Sequence, residues 1–286
     1  MSANVKVDYN SPASLKEFLD QRGLAMQKKF GQNFLINLQA RKKLVDALEI
    51  ENGTSVWEIG PGLGAMTYDI LNRGAELTAF EIDHGFASIL KEFFGEMNNF
   101  CLVEGDVLKT WKKHLENTTK PARLFGNLPY NIAATIFADL ISAGVRFEKG
   151  VITVQKEVAM RMCAAPNTDD YSSLAVLCQW AYDVTPLMDL GGGSFWPRPN
   201  VDSRAVKFVK KQDFPRCKDP AFFCKMQRAL FAFRRKTIKN NLSAFLNNSE
   251  KAENALKIAQ IDPKLRAETL KIEELLRLSD VAGELK

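Results

Sequence analysis

Asn127-Leu128-Pro129-Tyr130 has the side chains best suited to holding a flat, nitrogen-bearing ring. Asparagine offers both a donor and an acceptor. Proline fixes its own backbone and has no N–H, so carbonyls in such a turn can point outward. Tyrosine adds a face for stacking. Asn and Pro are also common turn residues, so the tetrad alone admits a plain β-turn. A second aromatic face comes from Phe195, in Phe195-Trp196-Pro197-Arg198-Pro199-Asn200-Val201-Asp202-Ser203. Two prolines hold that loop extended, and Arg198 offers a phosphate contact.

A second set of residues reads as a cofactor site. Gly60-Pro61-Gly62-Leu63-Gly64 lets a backbone approach a ligand closely. Its G-x-G-x-G spacing differs from the G-x-G-x-x-G of dinucleotide folds. Glu58, just before the first glycine, disfavours a pyrophosphate and favours a cationic ligand. S-adenosylmethionine carries a sulfonium and an ammonium and no phosphate. Glu81, about 20 residues on, is placed to accept hydrogen bonds from ribose hydroxyls. Asp106 follows a third strand and can meet the exocyclic amine of an adenine. Any of these acids could be a strand-end cap, but three in succession beside a glycine loop weigh against that.

Two basic stretches remain. Gln27-Lys28-Lys29-Phe30-Gly31-Gln32-Asn33-Phe34-Leu35 could bind phosphates, stack on a base or close over a cofactor. It could equally be a solvated loop with Phe30 and Phe34 in the core. The densest run is Arg234-Arg235-Lys236-Thr237-Ile238-Lys239, with Phe231 and Phe233 beside it. Cations with interleaved aromatics suit RNA. The competing reading is an amphipathic helix with a solvated basic face.

The elements around these residues read as an α/β unit. Ser11 and Pro12 cap a helix over 13–24. Apolar spacing predicts a helix over 39–50. Strand 54–59 runs into the glycine loop, and a helix over 65–72 follows. Strands are expected at 76–80, 100–103, 122–126, 149–154 and 205–209. The tetrad therefore falls at a strand's C-terminal end, where open α/β sheets place their chemistry. Helices are expected over 132–143 and 155–163, with a helical or mixed segment over 171–181. Gly191-Gly192-Gly193 reads as a mobile link. Beyond Asp213 the composition turns helical and more charged, starting with an apolar-periodic segment over 222–233.

Composition narrows the class. The chain has 286 residues, 46% hydrophobic and 26% charged, with a net charge of +5. These are the values of a soluble globular protein large enough to bury a full core. No apolar run approaches a membrane span, and the N-terminus has no signal-peptide core, so the cytoplasm is the expected compartment. The five cysteines form no C-x-x-C pair and the two histidines lie in no cluster. Disulfides, a metal site and a Ser-His-Asp triad are therefore not expected.

Taken together, these motifs resemble the ribosomal RNA adenine dimethyltransferases that act on the small-subunit RNA. The resemblance runs from about residue 27 to residue 270. It rests on Lys29-Phe30-Gly31-Gln32-Asn33-Phe34-Leu35, on Glu58 to Gly64 with Met66-Thr67, and on Asn127 to Ile132. Gln155-Lys156-Glu157-Val158-Ala159, Phe195 to Ser203 and Phe233 to Thr237 with Asn240-Asn241-Leu242 add to it. It implies a Rossmann-like class I methyltransferase sheet with a small C-terminal α-helical domain. Residues 1–36 would be an N-terminal helix and loop, 37–212 the methyltransferase domain and 213–286 an RNA-binding domain.

By the same resemblance Asn33, Leu35, Gly60, Glu81, Asp106 and Asn127 would bind S-adenosylmethionine, joined by Gly62, Ile82 and Val107. Asn127, Leu128, Pro129, Tyr130 and Phe195 would form the catalytic group. Lys28, Lys29, Arg198, Arg234, Arg235, Lys236 and Lys239 would face RNA. The expected reaction is methyl transfer to N6 of two adjacent adenosines by a monomer acting on the immature small subunit. The related large-subunit enzymes of macrolide resistance tend to carry Ile and Ser where this chain has Leu128 and Gly31. A non-catalytic assembly factor is a third reading. A DNA N6-adenine methyltransferase, with its usual D-P-P-Y, is disfavoured by Asn127.

Overall fold

Val56, Trp57 and Ile59 leave neither face of their strand free of apolar side chains, as suits a strand covered on both sides. A computed structural model describes residues 5–24, 33–118, 120–128, 133–213 and 216–286. Its strands are β1 (Phe34–Leu35), β2 (Ser55–Ile59), β3 (Glu76–Glu81), β4 (Phe100–Glu104) and β5 (Arg123–Asn127), then β6 (Lys149–Gln155), β7 (Tyr182–Leu190), β8 (Phe195–Trp196) and β9 (Ser203–Lys210). Seven of them form one sheet in the order β4-β3-β2-β5-β6-β9-β7. β2 pairs in parallel with β3 and β5, β3 with β4, and β5 with β6, while β9 runs antiparallel to β6.

That order decides where a ligand can enter. The chain runs outward from β2 to β3 and β4, then returns to the other side of β2 as β5. The reversal opens a crevice at the C-terminal ends of β2 and β5. Ile59 is in register with Gly126, so Gly60 and Asn127 leave their strands side by side.

Helices cross between the strands: α1 (Pro12–Gln21), α2 (Leu38–Asp46), α3 (Ala65–Leu71), α4 (His84–Phe94), α5 (Val107–Glu116), α6 (Ala133–Ser142), α7 (Lys156–Cys163) and α8 (Ser173–Ala181). Ser11 caps α1 as expected, its hydroxyl accepting from the Ser14 amide at 3.2 Å. α4 and α5 lie in stretches that were assigned no element. Asp83 and Asp106 start them by accepting from the Gly85 and Leu108 amides. β7 was also not anticipated, because Pro186 interrupts its pattern. The triple glycine is not a free link. Gly192–Ser194 is a 3₁₀ turn whose Ser194 carbonyl accepts from the Ile36 amide at 2.9 Å.

The described chain divides into two compact units. The first comprises residues 1–136, 147–159 and 185–209, and the second 137–146, 160–184 and 210–286. The first unit holds the glycine loop, with a core including Val56, Leu63, Phe86, Phe125 and Val151. The second holds α9 (Pro220–Leu230), α10 (Ile238–Leu246), α11 (Ser249–Ile258) and α12 (Ile272–Leu285). There Trp180 of α8 packs edge-on against Phe223 of α9, with ring centroids 4.8 Å apart. The helix expected over 222–233 stops at Leu230, and residues 231–236 turn back toward α10.

Candidate active site

The glycine loop follows β2 without a break. Gly60, Gly62 and Gly64 have φ of +71°, +59° and +85°, a region open mainly to glycine. At Gly64 a Cβ would also lie 2.6 Å from the Phe94 ring. The loop delivers Ala65 to the start of α3, and its Gly62 amide donates to Glu81 Oε2 at 3.0 Å.

Beside this loop lies a cavity of about 330 Å³. Residues from Tyr9 to Leu128, with Phe195, line it. Asn33, Leu35, Gly60, Gly62, Glu81, Ile82, Asp106, Val107, Asn127, Leu128 and Phe195, all anticipated from the sequence, are among them. Its charged lining residues are Glu58, Glu81 and Asp106, with no lysine, arginine or histidine among the described lining residues. Such a lining offers a phosphate no counter-charge and suits a cation, whose approach favours the ionised carboxyls. No cluster of potential metal ligands exists among the described residues.

The carboxyls are buried, and that changes their chemistry. Glu58 is 2% exposed and accepts from the Thr67 hydroxyl at 2.7 Å. Burial pushes its pKa up to about 8, and Glu81 and Asp69 add to the rise. Glu81 accepts from the Gly62 and Asp83 amides, at 3.0 and 2.8 Å, and burial still raises it to about 7. Asp106 caps α5 at the Leu108 amide, 3.0 Å, and also lines the cavity.

Asn127 is the last residue of β5. Its Nδ2 donates to the Asn33 carbonyl at 3.0 Å, which uses one of its two N–H bonds and orients the amide with Oδ1 as the acceptor. The Leu128 amide is taken by the Thr153 carbonyl at 3.1 Å. Phe195 arrives through a two-stranded ribbon in which β1 and β8 run antiparallel. Leu35 faces Phe195 there, and Phe34 stacks on Trp196 with centroids 6.3 Å apart. Two loops far apart in sequence thus form one wall. Pro129, Tyr130, Lys28 and Lys29 lie outside the described residues.

The sequence reading missed three contributors. Tyr9 and Leu15 line the cavity although the first 26 residues carried no diagnostic motif. The Tyr9 hydroxyl donates to the Leu63 carbonyl at 2.8 Å, pinning the N-terminal segment to the glycine loop. Arg41, 3% exposed, donates to the carbonyls of Tyr9, Leu35 and Ile36 and to Asn10 Oδ1, and pairs with Asp69 at 3.5 Å. It therefore ties the N-terminal segment, the β1 loop and α3 together. A signal existed, since Arg41 falls at helical spacing with Leu44, Val45 and Leu48, on the apolar face of its helix.

The candidate RNA-facing cations are less uniform than their sequence run suggests. Arg198 is exposed and lies across Gly192. Arg234 donates to the Asp169 carbonyl, and Lys239 pairs with Glu253 at 2.9 Å. The Lys236 ammonium sits 4.6 Å from the Phe233 ring centroid. Arg235 is exposed and makes no hydrogen bond or ion pair with a described residue.

Known proteins resemble this chain in sequence and fold. Residues 23–284 match the family model described as ribosomal RNA adenine dimethylase. The chain is 47% identical over 283 residues to the ribosomal RNA small subunit methyltransferase A of Treponema denticola, covering 97% of each. It is 42% identical to the protein of that name from Treponema pallidum, covering 97% of this chain and 98% of the relative. A solved dimethyladenosine transferase from Plasmodium falciparum matches with a TM-score of 0.67 and 26% identity, over 85% of this chain and 94% of that one. The 23S rRNA methyltransferase ErmE matches in fold, with a TM-score of 0.61 and 23% identity over 87% and 99%.

Proposed function

Because this chain belongs to the ribosomal RNA adenine dimethylase family, we propose that it methylates N6 of two adjacent adenosines in small-subunit ribosomal RNA, giving N6,N6-dimethyladenosine during ribosome biogenesis. The methyl donor in this reading is S-adenosylmethionine, which supplies an electrophilic methyl group on a sulfonium. The enzyme works as a monomer on the immature small subunit, in the cytoplasm. No helix among the described residues is long and apolar enough to cross a membrane.

One observation supports this reading above the others: an acid-lined cavity with no cation among its described lining residues opens beside an asparagine whose amide is oriented by a bond to the Asn33 carbonyl. The donor set fits the donor molecule, because Glu58, Glu81 and Asp106 favour a cation and Glu81 and Asp106 can accept from hydroxyl or amine groups.

The N6 lone pair of adenine is delocalised into the ring, which makes the amine a poor nucleophile. Asn127 Oδ1 accepts one N6–H. The carbonyl of Leu128 or Pro129 accepts the other, so the lone pair turns toward the cavity. Once alkylated, the nitrogen loses its proton readily to solvent, and no strong base is required. Orientation and a site fitted to positive charge supply the acceleration. The base must leave its stack to arrive, and Phe195 and Tyr130 flank it. Small-subunit specificity is supported by the relatives' names and by Leu128 and Gly31.

Mass spectrometry of nucleosides after incubation with immature small subunits tests the whole reading. N6,N6-dimethyladenosine in the small-subunit RNA is the expected product. Its appearance only on naked large-subunit RNA would reverse the specificity, and no methylated adenosine on either would remove the catalytic assignment.

A further inference from the structure

Phe233 is out of place by the rules that govern the rest of the chain. It is 58% exposed, whereas every other described phenylalanine is buried or half-buried. It lies in the turn joining α9 to α10, where residues 232–236 are all exposed. The turn is held open by Asn241, 3% exposed, whose Nδ2 donates to the Leu230 carbonyl at 2.8 Å and the Phe233 carbonyl at 3.2 Å. The Lys236 amide also donates to the Phe233 carbonyl, at 2.9 Å. The ring is therefore presented from a fixed backbone instead of folding onto the core.

Its neighbours specify the occupant. Arg235 has no partner among the described residues, and Lys236 lies over the ring at 4.6 Å while leaving most of the residue open to solvent. Arg234 is anchored by the Asp169 carbonyl. Residues 232–236 contain no carboxylate. A flat apolar face among cations matches a nucleobase between its phosphates, because any base offers a π-face and its backbone offers the charge. We propose that Phe233 is a stacking platform for an unpaired base of the RNA substrate, with Arg235 and Lys236 contacting the flanking phosphates. The inference rests on the RNA-directed function above, and adds that this turn reads single-stranded RNA.

The test uses the full chain and two fluorescein-labelled probes of equal length, a single-stranded oligoadenylate and a duplex RNA. Phe233→Ala should weaken single-strand binding about tenfold and leave duplex binding unchanged. Phe233→Trp should retain single-strand affinity, and Phe233→Leu should lose it despite remaining apolar. The slope of log affinity against log salt should stay as in the wild type for Phe233→Ala, and fall by about 0.7 for Arg235→Ala on the single strand. Equal losses on both probes, or full retention by Phe233→Leu, would overturn stacking. If Arg235→Ala behaves as expected and Phe233→Ala changes nothing, the stacking inference fails while the RNA-directed function stands. Failure of the wild type to bind the single-stranded probe would overturn the stacking inference, while the nucleoside assay on immature subunits decides the RNA-directed function separately.

Discussion

The cavity of the first unit and the exposed turn of the second handle charge in opposite ways. The cavity collects Glu58, Glu81 and Asp106 among apolar walls, and burial pushes two of them up to about 8 and 7. The turn strings Arg234, Arg235 and Lys236 along solvent-exposed backbone. Desolvation makes the buried acids costly to ionise, so they respond to a cation that enters beside them and remain little screened by salt. Exposed cations keep their charge and interact weakly one at a time, so their contribution is collective and salt-dependent. In the proposed function, cofactor selection and RNA attraction would rest on electrostatics in two different dielectric settings, and each setting predicts a different failure.

The sharpest break is expected at the boundary of the cavity. Asn127→Ala removes the acceptor proposed to hold the reacting amine, together with the bond to the Asn33 carbonyl. Methyl transfer should fall about a thousandfold in a radiolabelled-methyl assay, the scale seen when one such oriented group is lost. RNA affinity should stay near wild type, and a variant with full activity would dismiss Asn127 from catalysis.

Arg41→Ala is next. It strips three carbonyls and Asn10 of their donor and leaves Asp69 unpaired. A loss of about 3 kcal/mol in urea unfolding is expected. S-adenosylhomocysteine affinity should drop with it, while oligoadenylate affinity should hold. Arg41→Lys should recover part of the stability, because a lysine keeps the charge but not the five donors.

A pH titration then separates buried from exposed charge. The Glu58 carboxyl titrates at about 8 when folded, against 4.5 for the free group. The unfolded chain therefore gives up this proton first as pH rises. The stability carried by neutral Glu58 is complete below pH 4.5 and lost as pH climbs through about 8. Glu81 acts with the same sign, over a window ending near 7. Glu58→Gln should remove up to about 1.4 kcal/mol per pH unit from the slope of unfolding free energy in that interval. An unchanged slope would place the charge in water and erase the contrast with the turn.

The smallest effect belongs to single exposed cations. Lys236→Ala should weaken RNA binding several-fold, lower the salt slope by about 0.7 on single strands and leave S-adenosylhomocysteine affinity untouched. Cofactor affinity that moved with it would deny the division of labour between the two regions.

Much of the sheet was legible because its signals are local. Strand 55–59, the glycine loop and α3 form one contiguous run, and Gly60 needs its left-handed backbone whatever the rest of the chain does. β7 was harder, since Pro186 breaks the pattern that marks a strand. The helix drawn through 222–233 stopped early for a tertiary reason: buried Asn241 captures the Leu230 and Phe233 carbonyls from the next helix. No apolar period records such a bond.

The sequence alone determined the chemistry available: a glycine loop preceded by an acid, carboxylates after successive strands, and an asparagine at a strand end. Short-range steric and charge rules suffice for that. Only the tertiary structure decided how they meet. It set Asn127 Nδ2 on the Asn33 carbonyl, brought Phe195 in through the β1–β8 ribbon, recruited Tyr9 and Leu15 to the cavity, and used Arg41 to bind the Tyr9 and Leu35 carbonyls behind it. Those contacts join segments distant along the chain, and burial, which raises the carboxyl pKa values, exists only once the chain has closed around them.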